Sequence, residues 1–262
     1  MKTYNVLSLG AGVQSSTVAM LSVEGIIPKF DAWVFGDPLW EGKEVYQQVE
    51  WLEKQAKKIG TKFYRTSKRD VRDFNRTDGV RTHSIPLHTL NPRTGKKGLL
   101  RRTCTYELKI LPVEKVIREQ IVGLKPRKWM PNDVHINVHL GISTDEMERV
   151  TKSRHKWATH KYPLLELKWD RNKCLEWYTE TYSKVPPRSA CLGCPYHNNA
   201  FYKSLTQEEL NEVIEFDESI RHKSKDGYLY YVSRDRVPIK DLNLDLDNGA
   251  SFLDECSGLC GN

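Results

Sequence analysis

Five of the six cysteines occupy positions where their thiolates can act together. Cys191 and Cys194 form a C-x-x-C pair, Cys256 and Cys260 follow near the C-terminus, and Cys104 stands by itself. Thiolates bind zinc and iron–sulfur clusters, and the two intervening residues of a C-x-x-C pair allow both sulfurs to face one ion. The pattern predicts a metal centre held by Cys104, Cys191 and Cys194, with Cys256, Cys260 or both completing it. The alternative is that these cysteines are reduced core residues.

The other cysteine and a nearby histidine receive different interpretations. Cys174 lies in a predicted helix beside Leu175 and Trp177, without a partner motif, and is expected in the core. His197 follows Cys194 closely and is an alternative ligand, although a lone histidine is more commonly structural or exposed. In a reducing compartment, a C-x-x-C pair is metal-binding or redox-active rather than a structural disulfide.

A second candidate site is the segment S-L-G-A-G-V-Q-S-S-T at residues 8–17. A predicted strand runs into G-x-G, and hydroxyl residues then open a helix. This arrangement offers backbone N–H groups, a helix dipole and side-chain donors to a phosphate. The segment lacks the G-K-[ST] of a Walker A loop and the third glycine of a dinucleotide fingerprint. It predicts a phosphate site, and the alternative is a tight turn needed only for packing.

Composition limits the classes of protein to consider. The chain has 262 residues, enough for an ample core, and a net charge of +7 that favours anionic partners. Nucleic acid and free nucleotide both qualify, and charge does not choose between them. The N-terminus lacks a signal-peptide pattern, and no apolar run approaches the roughly 20 residues of a membrane span. We therefore expect a cytoplasmic protein without a membrane partner.

Strand-type and helix-type patterns alternate along the first two thirds of the chain. Strands are predicted at 4–9, 31–35, 62–65, 135–142 and 162–167, and helices at 15–25, 44–59, 106–122 and, after an Asp170 cap, to about residue 182. This order predicts an α/β fold, with a Rossmann-like, open, mostly parallel sheet and helices on both faces.

Two segments fall outside this alternation. Residues 77–103 carry several arginines and lysines without periodicity, so we predict a mobile basic loop. The doubled proline Pro186-Pro187 marks a break. We expect an adenine-nucleotide-binding α/β domain at 1–186 and an irregular, cysteine-bearing metal subdomain at 187–262 packed on it.

The segments named above resemble one known family in type and order. The loop at 8–17 resembles the pyrophosphate-binding loop of the adenine nucleotide alpha-hydrolase (PP-loop ATP pyrophosphatase) superfamily, and within it the phosphoadenosine phosphosulfate (PAPS) reductase-like family. The resemblance continues through most of the chain, in V-F-G-D-P-L-W-E at 34–41, R-R-T-C-T-Y-E-L-K-I-L-P at 101–112, G-I-S-T-D-E at 141–146 with Arg149, Y-P-L at 162–164, and S-A-C-L-G-C-P at 189–195.

The resemblance implies roles for individual residues. An adenine nucleotide would lie across the carboxyl ends of the strands. Asp37 would face ribose, adenine or Mg²⁺, and Lys109 would act with it in catalysis. The remaining nucleotide-binding residues are Ser8, Gly10, Gly12, Gln14, Ser15 and Ser16 around the phosphates, with Arg102 and Arg149 adding charge.

Two departures from the family concern cysteines. Iron–sulfur members carry adjacent cysteines upstream of the lysine, whereas Cys104 is followed by Thr105. The reductase nucleophile lies in a segment resembling E-C-G-L-H, whereas this chain has E-C-S-G-L-C, with Cys260 near the histidine position. Cys256 is therefore either a catalytic nucleophile or a metal ligand.

These implications predict an enzyme of sulfur chemistry with a 4Fe–4S cluster, preferred over zinc. The altered reductase segment favours ATP-dependent adenylylation and thiolation of a nucleic-acid or nucleotide acceptor, and the basic segment fits RNA or DNA. One alternative is a sulfonucleotide reductase that releases sulfite through a thiosulfonate on Cys256. Another is a non-catalytic, zinc-stabilised nucleic-acid-binding protein. A sulfur donor or reductant protein is an expected partner.

Overall fold

The computed structural model describes residues 1–74 and 84–246, and within them five parallel strands form a central sheet. In chain order the strands are β1 (Lys2–Leu9), β2 (Ala32–Gly36), β3 (Lys62–Thr66), β4 (His88–Leu90), β5 (Lys97–Leu99), β6 (Val134–Leu140), β7 (Ala158–Lys161) and β8 (Leu229–Tyr231). The central sheet has the order β3-β2-β1-β6-β7. This confirms the predicted α/β class and its open parallel sheet.

Helices cover both faces of this sheet. In chain order the α-helices of the described residues are α1 (Val13–Val23), α2 (Lys43–Lys58), α3 (Leu111–Val116), α4 (Pro163–Glu166), α5 (Arg171–Tyr182), α6 (Asn199–Ser204) and α7 (Gln207–Ile220). Helices α1, α2 and α5 share one hydrophobic cluster with Leu7 and Trp33, while α3 packs on Val6 and Val34 from the other face. Strands buried on both faces are typical of a parallel sheet. Within the described residues, no helix is both long and apolar enough to cross a membrane.

The order of the strands reverses at β1. Ser8 pairs with Val34 of β2 on one side and with Leu140 of β6 on the other, and all these strands point the same way. In open α/β sheets the crevice at such a switch point, beyond the carboxyl ends of the strands, is the usual ligand site. Gly141 follows β6 directly, and a Cβ atom there would lie 2.6 Å from the Ser15 nitrogen. Glycine therefore allows the two loops that border the crevice to approach each other.

A smaller antiparallel sheet, β5-β4-β8, lies beside helices α6 and α7. Its hydrophobic cluster combines Trp40 and Leu87 with Leu192 and Phe216. Residues from both sides of the proposed boundary at 186 thus share one core. The boundary itself stays a prediction.

Three predicted elements differ in the structure. The described part of the expected mobile loop contains the β4–β5 hairpin, in which the Arg236 guanidinium donates to the carbonyls of Thr89 and Gly98 at 3.0 and 3.1 Å. The predicted strand at 162–167 is wrong, because Pro163 begins α4 and the fifth strand is β7, just upstream. The segment after 186 was expected to be irregular, yet it includes α6, α7 and β8. Asp170 caps α5 as predicted, accepting from the Lys173 nitrogen at 2.7 Å.

Candidate active site

The loop between β1 and α1 holds the predicted phosphate-binding residues at the switch point. Gly12 is the extended residue before the helix, and no side chain caps the N–H groups of the first turn. Ala11 is buried with a φ of 61°, in the left-handed region. The Gly10 nitrogen donates to Ser15 Oγ at 3.2 Å, which fixes the bend. The loop therefore presents a helix N-terminus to the crevice, as anion sites require.

Ser16 and Gln14 point away from solvent. Ser16 is fully buried, and its Oγ accepts from Gln48 Nε2 of α2 at 3.2 Å. The amide of Gln14 donates to Ser143 Oγ at 3.3 Å and to Glu146 Oε2 at 3.1 Å. Their predicted contact with phosphate is untested, but these bonds show that both side chains tie the loop to its surroundings.

The Gln14 network reaches two arginines. Arg171 Nη1, at the start of α5, donates to Gln14 Oε1 at 3.0 Å. Arg149 forms an ion pair with Glu146, within a short 3₁₀ segment, Thr144–Arg149. Arg149 is thus placed beside the switch point, next to the loop it was predicted to assist. Arg171 was missed from the sequence, where nothing distinguishes it from other surface arginines.

Asp37 follows β2 and is held in a closed set of hydrogen bonds. Its Oδ1 accepts from the Leu39 nitrogen at 2.7 Å and from the Tyr46 hydroxyl at 3.1 Å. Its Oδ2 accepts from Arg65 Nε and Nη2 at 2.9 and 2.6 Å. Burial, together with the nearby Asp37 charge, raises the pKa of Tyr46. A direct bond from Asp37 to nucleotide or Mg²⁺ requires these contacts to rearrange and stays a prediction.

Lys109 forms a buried ion pair with Glu41. Its Nζ lies 2.7 Å from Glu41 Oε1, and the two side chains are 8% and 0% exposed. Lys109 belongs to a π-helical turn, Tyr106–Ile110, that precedes α3. Gly36, at the end of β2, permits the close approach, because a Cβ there would lie 3.0 Å from the Lys109 carbonyl oxygen. The pair thus lies at the carboxyl edge of the sheet, and π-helical turns are frequent at functional sites.

The C-x-x-C turn packs on the segment that contains Trp40 and Glu41. Cys191 forms a β-bridge with Glu41, and the Leu192 nitrogen donates to the Trp40 carbonyl at 2.9 Å. Gly193 packs on the Trp40 ring so closely that a Cβ would lie 2.2 Å from it. The turn is closed by the Cys194 nitrogen, which donates to the Cys191 carbonyl at 3.0 Å. Sequence-distant candidates, Lys109 and the cysteine pair, are therefore brought to one edge of the sheet.

His197 braces this turn from inside. Its Nε2 lies 2.9 Å from the Cys191 carbonyl oxygen, and its ring stacks on Phe201 with centroids 3.4 Å apart. Burial lowers the pKa of His197 to about 3, so the ring is neutral and Nε2 carries the proton that it donates. The structure gives His197 a positioning contact, and its alternative role as a metal ligand is untested.

The predicted metal centre is not assembled by the described residues alone. Within 1–74 and 84–246, no three His, Cys, Asp or Glu side chains converge on a point that suits a metal ion. Cys104 and Cys191 pack against the same hydrophobic cluster, but Cys256 and Cys260 lie outside the described residues. The complete ligand set, its cluster or zinc ion, and the role of Cys256 therefore stay predictions. Cys174 is buried in the core as expected, and burial raises its pKa to about 12.

Two further arginines, Arg102 and Arg69, are candidate anion-binding residues. The Arg102 guanidinium lies 5.3 Å from the Tyr196 ring centroid, close to the C-x-x-C turn. Arg69 follows β3, and its buried Nη1 has no hydrogen-bond acceptor among the described residues. The neighbouring cations, by contrast, form ion pairs: Arg65 with Asp37, and Lys68 with Glu107. Arg69 was missed from the sequence, and its unsatisfied N–H suits an anionic ligand.

Comparison of the chain with models of known protein families, with curated proteins and with solved structures gives no match in any of the three.

Proposed function

We propose that the protein binds an adenine nucleotide and uses ATP to activate an acceptor oxygen that sulfur then replaces. The acceptor is a nucleic acid or nucleotide. The observation that carries this proposal is the uncapped N-terminus of α1, which opens at the switch point of a parallel sheet behind a buried, left-handed Ala11. Such a helix start is suited to phosphate. The motifs resemble the PAPS reductase-like family in type and order. This resemblance is the basis for proposing adenine as the base of the nucleotide and sulfur as the transferred atom.

The chemistry has two displacement steps. The acceptor oxygen attacks the α-phosphorus of ATP, the bond to the bridging oxygen breaks, and pyrophosphate leaves. Inorganic sulfide, or a protein that delivers it, then attacks the activated carbon, and AMP leaves with the oxygen. The first step builds negative charge on the departing pyrophosphate. The N–H groups after Gly12 would stabilise that charge, as preorganised donors do in transition states.

Lys109 would add positive charge at the same edge. Its ammonium is kept in place by Glu41, and both are shielded from water. A buried charge interacts more strongly with a phosphate than an exposed one does. Lys109 is therefore assigned to the charge that develops as pyrophosphate departs, and Glu41 is assigned to its positioning.

The exposed β4–β5 hairpin supports a polynucleotide acceptor. Arg93, Lys96 and Lys97 are exposed on it, and the Arg236 contacts hold its strands. Phosphate contacts by such side chains give the salt dependence typical of nucleic-acid binding. We place thiolation before the reductase alternative because the segment E-C-S-G-L-C departs from the E-C-G-L-H segment of the reductases that it resembles.

The test is pyrophosphate release from ATP by anaerobically purified full-length protein, with RNA, DNA and sulfide added separately and together. We expect release that RNA or DNA stimulates. Calorimetry with ATP, AMP, adenosine phosphosulfate and PAPS accompanies it. Sulfite release from a sulfonucleotide without ATP cleavage would establish the reductase instead, and nucleic-acid binding without any nucleotide binding would favour the non-catalytic alternative.

A further inference from the structure

A second feature lies in the turn at residues 123–131, between a π-helical turn that follows α3, Ile117–Ile121, and strand β6. We call it the Trp129 turn. Trp129 is 92% exposed, the most exposed large aromatic side chain among the described residues. Lys125, Arg127 and Lys128 beside it are exposed as well. The turn therefore exposes one aromatic ring and three positive charges within five residues.

The backbone of the Trp129 turn is held in one conformation. The Leu124 nitrogen donates to the Arg118 carbonyl at 2.8 Å, and the Lys128 nitrogen donates to the Lys125 carbonyl at 3.2 Å. The Arg118 guanidinium in turn donates to the Lys128 carbonyl. Arg127 has a φ of 65°, a strained value for a residue with a side chain. The exposed side chains are therefore presented on a preformed turn.

The Trp129 turn lies at the edge of the sheet opposite the nucleotide site. It leads into the amino end of β6, where Lys2 pairs with Val134 and the Lys2 nitrogen donates to the Asp133 carbonyl at 2.6 Å. The phosphate loop lies beyond the carboxyl ends of the same strands. The 7 residues of β6 separate the two edges by about 23 Å at about 3.3 Å each. The turn is thus a separate surface.

Charge and shape together select the partner. The cations of the turn suit phosphates, and the flat indole suits stacking on an unpaired base, the combination used in single-strand binding. A membrane surface would call for a wider apolar face. Here Trp129 follows the charged Arg127 and Lys128, and its apolar neighbours Met130 and Leu124 are half-buried. We propose that the Trp129 turn binds single-stranded nucleic acid, with Trp129 stacked on a base and Lys125, Arg127 and Lys128 on the backbone.

The experiment measures binding of fluorescent oligo-U and oligo-dT to the full-length protein over a range of salt concentrations. Trp129→Ala should weaken binding by about ten- to a hundredfold, whereas Trp129→Phe, which still stacks, should retain most of it. Replacing Lys125, Arg127 and Lys128 by glutamine should reduce the slope of log K against log salt by about 2, at roughly 0.7 for each contact. A matched control replaces exposed Lys54, Lys57 and Lys225 and should leave the Trp129 dependence unchanged.

Three outcomes overturn the inference. The first is oligonucleotide binding that Trp129→Ala leaves intact, and the second is no oligonucleotide binding at all. The third is Trp129-dependent binding to phosphatidylserine vesicles with no Trp129 effect on oligonucleotides, which identifies a membrane partner. Because the surface is remote from the nucleotide site, Trp129→Ala should leave ATP cleavage unchanged when the assay uses a short acceptor. If the unmodified protein binds no ATP, the proposed function is wrong, whereas this inference is unaffected.

Discussion

Lys109 Nζ and Glu41 Oε1 lie 2.7 Å apart in the interior, and the Glu41 backbone forms a β-bridge with Cys191. The side chain of Glu41 thus contacts the candidate catalytic lysine, while the backbone of the same residue pairs with the candidate metal-binding turn. Glu41→Ala should lower the free energy of unfolding by about 3–5 kcal/mol, because it removes the Glu41 carboxylate from a buried ion pair. Urea denaturation measures this.

A double variant separates the contribution of the ion pair to stability from the contribution of side-chain packing. Lys109→Met together with Glu41→Leu removes both charges and should be less destabilising than the sum of the single changes. Additive losses would show that the ion pair contributes nothing beyond the packing of its side chains. Exposed Lys57, paired with Glu53 on α2, is the control, and its removal should change stability by less than about 1 kcal/mol.

Gly141→Ala should disturb the phosphate loop without unfolding the sheet. The added methyl group would lie 2.6 Å from the Ser15 nitrogen, so the start of α1 must shift. We expect ATP affinity in calorimetry to fall by at least about tenfold, because loop donors act through position. Gly42→Ala is the matched control, since its new Cβ meets only side-chain atoms, at 3.4 and 3.6 Å. Equal affinities for both variants would contradict a phosphate site here.

His139 of β6 should make stability depend on pH. Burial, and then the Lys161 charge, lower its pKa from 6.5 to about 4. The unfolded chain therefore binds a proton that the folded chain does not, and stability should fall as the pH drops from 6.5 towards 4. After allowance for solvent screening, we expect a loss of about 1–2 kcal/mol from this group.

His139→Gln should flatten that part of the pH profile, measured by urea denaturation at several pH values. His222→Gln, at an exposed site, serves as the control. An unchanged slope in His139→Gln would show that other groups cause the acid dependence.

Serine replacements of single cysteines should separate metal ligands from nucleophiles. Loss of Cys104, Cys191 or Cys194 should release metal or bleach a cluster, seen in metal analysis and the ultraviolet–visible spectrum. Loss of a pure nucleophile, the alternative for Cys256, should abolish turnover with the metal retained. Cys174→Ser, deep in the core, should keep the metal. Full metal occupancy after removal of both Cys191 and Cys194 would end the metal-centre hypothesis.

The parallel sheet was predictable because its signals are local. Strand β2 is a continuous apolar run, β1 ends in a mostly apolar stretch that leads into the glycine loop, and α2 repeats Val45, Val49, Leu52 and Ala56 along its buried face. Strand β7, by contrast, reads Ala-Thr-His-Lys and is too short and polar to be recognised. Strands β4 and β5 have three residues each and are defined by pairing with each other, and β4 pairs with β8 as well.

The candidate site was predictable in its residue types and less so in its contacts. The loop at 8–17 was identified by its place after a predicted strand, and Asp37 was identified through the family resemblance. The partners that fix them, such as Arg65, Gln48 and Arg171, come from distant segments and are revealed only by tertiary packing. The C-x-x-C pair was evident from spacing, but its seat on Trp40 and Glu41 was not.

The seat of Gly193 on the Trp40 ring also bears on the order of folding. The two residues are far apart in the sequence, and contacts of that kind form late because a long loop must first be closed. The same Trp40 ring packs edge-on against Phe216, so the contact of Gly193 joins three segments that are distant in the sequence. We therefore expect the cysteine pair to reach its place late in folding, with its thiols open to solvent and to oxidants in the earlier stages.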